Sequence, residues 1–205
     1  MKDTYKTIDK PAEGYFKDKG SKFYAFAVPV QNENEIKEAI AGLKKQHHSA
    51  RHHCYAWRLG TEDIIYRAND DGEPPSTAGK PVLGQLLNFD LTNIIVVVVR
   101  YFGGTLLGTG GLINAYRKAA ADAIKNAEIK TKIVEQHFQL SYSYKQMNDV
   151  MSVLKQENLN ITTTRFEEEC SLVFAVRKSK AERIEKIFSD FYGVKISKSK
   201  HENIC

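Results

Sequence analysis

The sequence is short of the residues that mark several specialised classes of protein. Only three cysteines, five prolines and one tryptophan occur in 205 residues. The cysteines, Cys54, Cys170 and Cys205, are odd in number, far apart and outside any Cys-x-x-Cys pair, which argues against a disulfide framework. The longest apolar run, Ile94–Val99, has the length of a strand and is too short to cross a membrane. With a polar N-terminal segment, these absences predict a cytoplasmic protein.

A strong excess of one charge is also missing. The chain has 30 basic and 25 acidic side chains, for a net charge of +5, and the excess is spread over both halves without a basic tail. This balance permits contact with a polyanion such as RNA but does not require it. What the chain does contain is core material, with 42% apolar residues including ten Phe and ten Tyr. Such a composition is typical of a globular protein.

The second half of the chain has the clearer periodicity. Apolar residues alternate, as in half-buried strands, near residues 137–144, 158–166, 170–176 and 194–196. Between these segments, apolar residues recur every three or four positions at 147–154 and 181–191, as on one face of a helix. The order βαββαβ predicts a ferredoxin-like domain.

The first half also mixes strands and helices. We predict strands at 23–30, 51–59, 64–68 and 93–101 and helices at 33–46, 76–88 and 110–127. The strand at 93–101 is apolar on both faces, which predicts a central position in its sheet. The fold class is therefore α+β with two domains, residues 1–129 and 130–205. The boundary is expected in the lysine-rich segment 126–132, interpreted as a linker.

A glycine-rich segment after the central strand is the strongest indication of anion binding. Arg100 ends the strand, and the segment then contributes Gly103, Gly104, Gly108, Thr109, Gly110 and Gly111. Small residues before a helix let backbone N–H groups approach a phosphate. The P-loop and dinucleotide patterns are both incomplete, since Lys is absent after Gly108 and Ile113 stands where a last Gly belongs. Close packing of strand against helix is an equal alternative explanation for the glycines.

Acidic and histidine clusters give weaker indications. Asp70, Asp71 and Glu73 are weak candidates for a divalent cation site. The favoured interpretation is a tight turn with Ser76 or Thr77 capping the next helix.

The histidines at 47, 48, 52 and 53 do not predict a zinc site, because His52 and His53 alternate between the two faces of a strand. Cys54 is expected to be a small buried residue and not a nucleophile. We therefore predict no catalytic residue, no metal and no cofactor.

Four polar or glycine-rich segments occur in an order that resembles the YigZ/IMPACT family. They are His52-His-Cys-Tyr-Ala-Trp57, Asn69-Asp-Asp-Gly-Glu-Pro-Pro-Ser-Thr-Ala-Gly-Lys80, Arg100-Tyr-Phe-Gly-Gly104 and Leu107-Gly-Thr-Gly-Gly-Leu112. The part from about residue 131 onward is similar to the smaller C-terminal domain of the bacterial, two-domain members. Several long motifs in one order are far more specific than any one of them.

The resemblance implies a fold and a field of activity. The first domain is expected to have the left-handed βαβ fold of ribosomal protein S5 domain 2, and the second to be ferredoxin-like, as in the last domain of translocase elongation factors. Elongation factor G carries this pair of folds in tandem. The eukaryotic relative opposes activation of an eIF2-alpha kinase by binding that kinase's activator, and bacterial members have been proposed to bind nucleic acid.

These observations predict a non-enzymatic, translation-associated binding protein that contacts the ribosome or structured RNA. Beside the glycine-rich segment, the residues expected to contact phosphate are Arg51, His53, Lys80, Arg100 and Arg117, with the aromatic residues Tyr55, Trp57, Tyr101 and Phe102 nearby in sequence. Two alternatives stay open. One is an enzyme or binder of a phosphorylated small molecule or nucleotide through the glycine-rich segment. The other is a protein–protein adaptor in translational stress control. No membrane association is expected.

Overall fold

A run of apolar residues forms the centre of the first part of the molecule. In the computed structural model, which describes residues 3–166 and 169–199, Ile94–Tyr101 is a strand in which every residue except the last is buried. It pairs with a strand on each side, as predicted for a central strand. The chain separates into two compact units, Thr4–Lys132 and the described residues from Ile133 onward together with Asp3.

From Thr4 to Ile133 the chain forms seven strands and three helices. The strands are β1 (Thr4–Ile8), β2 (Ala12–Asp18), β3 (Ser21–Pro29), β4 (His52–Leu59), β5 (Ile65–Asn69), β6 (Ile94–Tyr101) and β7 (Ile129–Ile133). The helices are α1 (Glu33–Gln46), α2 (Gly79–Asn88) and α3 (Gly108–Asn126). Five strands make an antiparallel sheet in the order β2-β3-β6-β4-β5, and β1 pairs with β7 in a separate two-stranded sheet.

Helices cover both faces of the five-stranded sheet. Helices α2 and α3 pack on the face that presents Phe23, Cys54 and Val98. Helix α1 packs through Ile36 on the other face, which presents Phe26 and Trp57. Alternate residues of one strand therefore enter two separate cores, which explains why β6 shows no polar face.

Helix α1 has the bounds that the sequence predicts. Asn32 accepts a hydrogen bond from the Glu35 backbone N–H at 3.0 Å, and the Glu35 side chain accepts one in return from the Gln31 backbone N–H at 2.8 Å. This reciprocal cap satisfies free N–H groups at the start of the helix. Lys44 and Lys45 in the last turn complement the negative end of the helix dipole.

Three strands of the first unit are absent from the sequence-based prediction. These are β1, β2 and β7, and the last of them occupies the segment interpreted as a linker. In β2 the only buried residue is Gly14, where an added Cβ would lie 2.2 Å from the Ala123 backbone nitrogen of α3. The most buried position of that strand has to be glycine, so its apolar signal is reduced to Phe16, which packs against the same core.

The second unit has the predicted ferredoxin-like order. Its elements are β8 (Glu135–Tyr142), α4 (Met147–Gln156), β9 (Asn160–Phe166), β10 (Cys170–Arg177), α5 (Lys178–Ser189) and β11 (Val194–Ser199). The strands form an antiparallel sheet in the order β11-β8-β10-β9. One apolar core, with Phe138, Phe174 and Phe188 at 0% exposure, joins the sheet to both helices. The α+β class and the two-unit organisation are confirmed.

Two further expectations concern membranes and cysteines. None of the helices within residues 3–166 and 169–199 is long and apolar enough to cross a membrane. Cys54 and Cys170 are buried free thiols, one in each unit. Cys205 lies outside the described residues.

Candidate functional site

The start of α3 forms one wall of a cleft of about 440 Å³ in the first unit. Arg51, His52, Glu73 and Arg100 contribute polar groups to the cleft, and its apolar lining comes from Pro74, Phe102, Leu106, Leu107 and Leu112. Gly108 and Thr109, in the first turn of α3, also line it. That first turn has neither a capping side chain nor an acidic residue. Its exposed N–H groups therefore present a partial positive charge to the cleft.

A chain of hydrogen bonds runs from the floor of the cleft into the core. The Arg100 guanidinium donates to Glu73 Oε1 at 2.6 Å, and the Tyr116 hydroxyl donates to the same oxygen at 2.8 Å. The Cys54 thiol lies 3.3 Å from the Tyr116 hydroxyl and 2.9 Å from the Asp70 carbonyl oxygen. Burial raises the pKa of both the Cys54 thiol and the Tyr116 hydroxyl. Cys54 is consequently protonated at neutral pH and is a poor nucleophile.

Arg100 lies where the strand ends, as the sequence predicts, but it is 5% exposed and paired with Glu73. Its guanidinium is placed between the rings of Phe23 and Phe102, at 5.5 and 5.6 Å from their centroids. The Nε atom of Arg100 is buried and has no hydrogen-bond partner among the described residues. One donor of a buried cation is thus left unmatched beside the cleft, which is uncommon in folded proteins.

The carboxylates that were weak metal candidates are engaged separately. Asp70 accepts hydrogen bonds from the backbone N–H groups of Ser76, Ala78 and Gly79, at 2.8, 3.0 and 2.8 Å. It therefore caps α2, which the sequence assigned to Ser76 or Thr77. Among residues 3–166 and 169–199, no three His, Cys, Asp or Glu side chains are grouped to hold a metal ion.

Asp71 anchors the turn to the sheet. Its carboxylate accepts a hydrogen bond from the His53 backbone N–H at 2.7 Å and lies 3.3 Å from the Lys44 ammonium. His53 is 6% exposed, and burial lowers the pKa of its imidazole. The His53 side chain is therefore buried, whereas the sequence-based prediction placed it among the residues that contact phosphate.

Two of the predicted basic residues lie apart from the cleft. Lys80 and Arg117, from α2 and α3, line a groove of about 510 Å³ together with Ser76 and Ile113. Lys80 and Arg117 are both exposed to solvent. The predicted set is thus divided between two places, with Arg51 and Arg100 in the cleft and Lys80 and Arg117 in the groove.

The glycines of the segment do not share one explanation. Gly103 fits the packing alternative, because an added Cβ would lie 1.9 Å from the Gly20 carbonyl carbon. Gly104 and Gly108 have positive φ angles of 85° and 69°, a backbone conformation that favours glycine. Gly110 meets neither condition, since it has helical backbone and open space around the Cβ position. The fold alone gives no reason for glycine at 110.

The aromatic residues also regroup. Tyr101 and Phe102 line a further cavity, separate from the groove, together with Tyr24 and His47. Trp57 is buried at 9% exposure on the face covered by α1. Sequence reasoning missed Tyr24 because it comes from a strand far from the glycine-rich segment, and only the β3–β6 pairing brings the two together.

Comparison with known proteins agrees with the four motifs. A family model described as the Impact N-terminal domain matches residues 19–124. An IMPACT family member of Haemophilus influenzae is 34% identical over 166 residues, which cover 80% of this chain and 81% of the relative. IMPACT family member YigZ of Escherichia coli is 33% identical over 175 residues, which cover 84% of this chain and 86% of the relative.

A solved structure described as that of a hypothetical protein aligns over 98% of this chain and 100% of its own, with 28% sequence identity and a TM-score of 0.72. The match of the family model to half of the chain, together with two relatives aligned over most of their length, shows that this chain belongs to the IMPACT family.

Proposed function

We propose that this protein is a non-enzymatic, translation-associated binding protein whose first unit contacts structured RNA, alone or within the ribosome. One observation carries the proposal. Three cavities of the first unit are lined, among the described residues, by Lys22, Arg51, Lys80, Arg100 and Arg117 and by a single carboxylate, Glu73. The chain as a whole is nearly balanced, with 30 basic and 25 acidic side chains. In these three cavities, basic side chains therefore outnumber acidic ones five to one.

The single carboxylate does not offset this concentration. Glu73 is buried and forms an ion pair with Arg100 at 2.6 Å, so the two charges largely cancel. The net charge of the cavity linings comes from residues that are exposed, namely Lys22, Arg51, Lys80 and Arg117. Exposed cations that line cavities without an exposed carboxylate beside them favour the binding of phosphate groups.

The cleft adds a site for one phosphate group. The start of α3 presents N–H groups without a side-chain cap, Arg51 lies at the same cleft, and Arg100 has an unmatched donor beside it. Gly110 leaves space for close approach of a ligand to the helix. A helix start of this kind is a general anion-binding device, and RNA supplies the anions as phosphodiesters.

The experiment that tests this function is sedimentation of the tagged protein from cell lysate through sucrose gradients at low and moderate salt. Co-migration with ribosomal particles at low salt, lost at moderate salt, is expected because phosphate contacts release counterions. The variant Arg51→Glu/Lys80→Glu/Arg117→Glu should stay at the top of the gradient. Lys10→Glu/Lys37→Glu/Lys145→Glu makes the same change of charge at exposed positions outside the three cavities and should sediment like the wild type.

Wild-type protein that stays at the top of both gradients, and that has no salt-sensitive affinity for purified rRNA or tRNA, would refute the proposal. The enzyme alternative would then be tested by thermal shift with nucleotides and Mg²⁺, where ligand at about 100 times its Kd adds about 2.7 kcal/mol. The structure gives that alternative less support. Asp70 and Asp71 accept hydrogen bonds from backbone N–H groups, and Glu73 pairs with Arg100.

A further inference from the structure

A cavity of about 410 Å³ lies beside the cleft, between β3, β6 and the end of α1. Tyr24, His47, Tyr101 and Phe102 line it, together with Gly20 and Lys22. The volume lies within the range of small-ligand sites, which begins at about 300 Å³. Four ring-bearing side chains among six lining residues make this the most aromatic of the three cavities described above.

The rings are arranged as the walls of a corner. Tyr24 and Tyr101 have centroids 5.8 Å apart and planes at 89°, whereas Tyr24 and His47 are nearly parallel, at 22° and 6.2 Å. A hydrogen bond of 2.9 Å joins His47 Nδ1 to the Tyr101 hydroxyl. Tyr24 also contacts the ring of Tyr15, at a centroid distance of 5.0 Å. The walls are thus positioned by the protein's own contacts before any ligand arrives, which lowers the entropy cost of binding.

The charge at the cavity decides which kind of ligand fits. Aromatic corners bind either a cation, through the faces of the rings, or a planar ring, through stacking. Lys22 is exposed and lines the cavity. No acidic side chain lines it within the described part of the chain. A quaternary ammonium would be repelled by Lys22, whereas a planar ring attached to an anionic group would be attracted to it. A nucleotide has both features.

Phe102 links this cavity to the cleft, because its ring lines both. The two sites are therefore adjacent, and Phe102 belongs to both. A strand of RNA has the same alternation, since each base is followed along the chain by a phosphate. In a duplex the faces of the bases are stacked on one another, so only an unpaired base can enter an aromatic corner.

We infer that the aromatic cavity binds an unpaired nucleobase of RNA, while a phosphate of the same strand lies at the start of α3. This inference rests on the proposed function and specifies which part of the RNA is recognised. Stacking against Tyr24, Tyr101 and Phe102 tolerates any base, because every base has a π-face. The preference is accordingly for single-stranded segments, such as loops and bulges, and only weakly for sequence.

The test is fluorescence anisotropy of the full-length protein with three labelled RNAs of equal charge per strand. The first is a short single strand, the second is the same strand with abasic ribose at its central positions, and the third is a perfect duplex. We expect the abasic strand and the duplex each to bind at least tenfold more weakly than the single strand, since neither can stack a base on the aromatic rings. Because this comparison uses the wild-type protein, it does not depend on a variant that folds.

Two variants locate the effect. Tyr24→Leu should weaken binding of the normal strand about tenfold and leave binding of the abasic strand unchanged. Phe102→Leu should weaken binding of both strands, and of the normal strand more, because Phe102 also lines the cleft and lies against Arg100. Tyr66→Leu removes an exposed ring from β5, away from the cavity, and serves as the matched control. It should bind all three RNAs like the wild type.

Three results would overturn the inference, and they are distinguishable from failure of the proposed function. Equal affinity for normal and abasic strands would show that phosphates alone are bound, and RNA binding would stand without a base site. A duplex bound as tightly as the single strand would do the same. Competition by free adenosine monophosphate at the affinity of the strand would assign the cavity to a mononucleotide. Absence of binding to every RNA would instead remove the proposed function itself.

Discussion

The two units bury polar groups very differently. Ten polar or charged residues are buried in the described part of the chain, and all ten lie in the first unit, among them Arg100, Glu73, His53 and Asn93. The core of the second unit consists of apolar residues and one tyrosine, Tyr142. Burying a polar group costs free energy unless it is hydrogen-bonded. The second unit therefore has an almost entirely apolar core. The first unit instead buries polar groups, whose hydrogen bonds hold loops in place at a cost in stability.

The largest effect that separates the two units is expected from Glu73→Ala. It would leave the buried Arg100 guanidinium without its ion-pair partner, at a cost of about 3–5 kcal/mol in the free energy of unfolding. Urea denaturation measures that loss. Thiol labelling localises it, because Cys54 should react faster in the variant while Cys170, in the second unit, should keep its wild-type rate.

Glu182→Ala, at an exposed position of α5, is the control and should change the free energy of unfolding by about 0.5 kcal/mol or less. Equal acceleration of both thiols in Glu73→Ala would contradict a polar network that acts only within the first unit.

A smaller effect is expected at the start of α2, which is capped by the carboxylate of Asp70 and not by a residue next to the helix. Asp70→Ala removes the acceptor of three backbone N–H groups at the start of α2 and should destabilise the protein by about 2 kcal/mol. Asp70→Asn keeps one carbonyl oxygen and should cost clearly less. Urea midpoints of the two variants check the order, and equal losses would mean that the charge of Asp70, and not its geometry, holds α2.

The second unit offers a purely apolar counterpart. Ile184 in α5 is fully buried, and Ile184→Val should cost about 0.5–1.5 kcal/mol, the usual loss for one buried methylene. Ile161→Val, at a partly exposed position of β9, is the matched control and should cost less. Calorimetric unfolding can follow both variants. A loss above this range for Ile184→Val would indicate that the apolar core of the second unit is less tolerant than its composition implies.

The smallest effect concerns an ion pair at the surface of the second unit. The Arg177 guanidinium donates hydrogen bonds to Asp3 at 2.6 and 3.1 Å and lowers the pKa of that carboxyl to about 2. Because the pKa is lower in the folded state, the stabilisation is complete above the ordinary pKa of 3.8 and is lost as the pH falls towards 2. Stability measured from pH 5 to pH 2 should fall less steeply in Arg177→Gln, and identical slopes would contradict the assignment.

The same contrast explains how much of the fold could be predicted from the sequence. The second unit follows the alternation of its apolar residues, so the order βαββαβ was predicted and is confirmed. In the first unit α1 was predicted with its observed bounds, since its cap and its apolar positions are both local. Strands β1, β2 and β7 were missed. The inward position of β2 at Gly14 carries no apolar side chain, and β7 contains Lys130 and Lys132, which favoured the linker interpretation.

The candidate site was predictable only in part, because its contacts join distant segments. The glycine-rich segment marked the start of α3, and Arg51 and Arg100 do line the cleft beside it. The cap on α2 was misassigned because the acceptor, the Asp70 carboxylate, precedes the start of the helix by several residues and is brought to it by a turn. Tyr24 and His47 give no local signal for a cavity. The cavity forms only when β3 pairs with β6 and α1 ends beside Tyr24 and Tyr101.

The contact between Gly20 and Gly103 has a consequence for how the sequence can vary. A Cβ on Gly103 would collide with the Gly20 carbonyl carbon at 1.9 Å, and a Cβ on Gly20 would lie 2.7 Å from the Gly103 carbonyl oxygen. At both positions the colliding atoms are backbone atoms of the other glycine, so no change of side chain at one position can make room for a side chain at the other. Compensating pairs of substitutions are therefore closed to these two positions. The turn between β2 and β3 can therefore change little in sequence, because it contacts a loop more than eighty residues further along the chain. That loop begins beside Phe102, so the same contact helps to fix the position of Phe102.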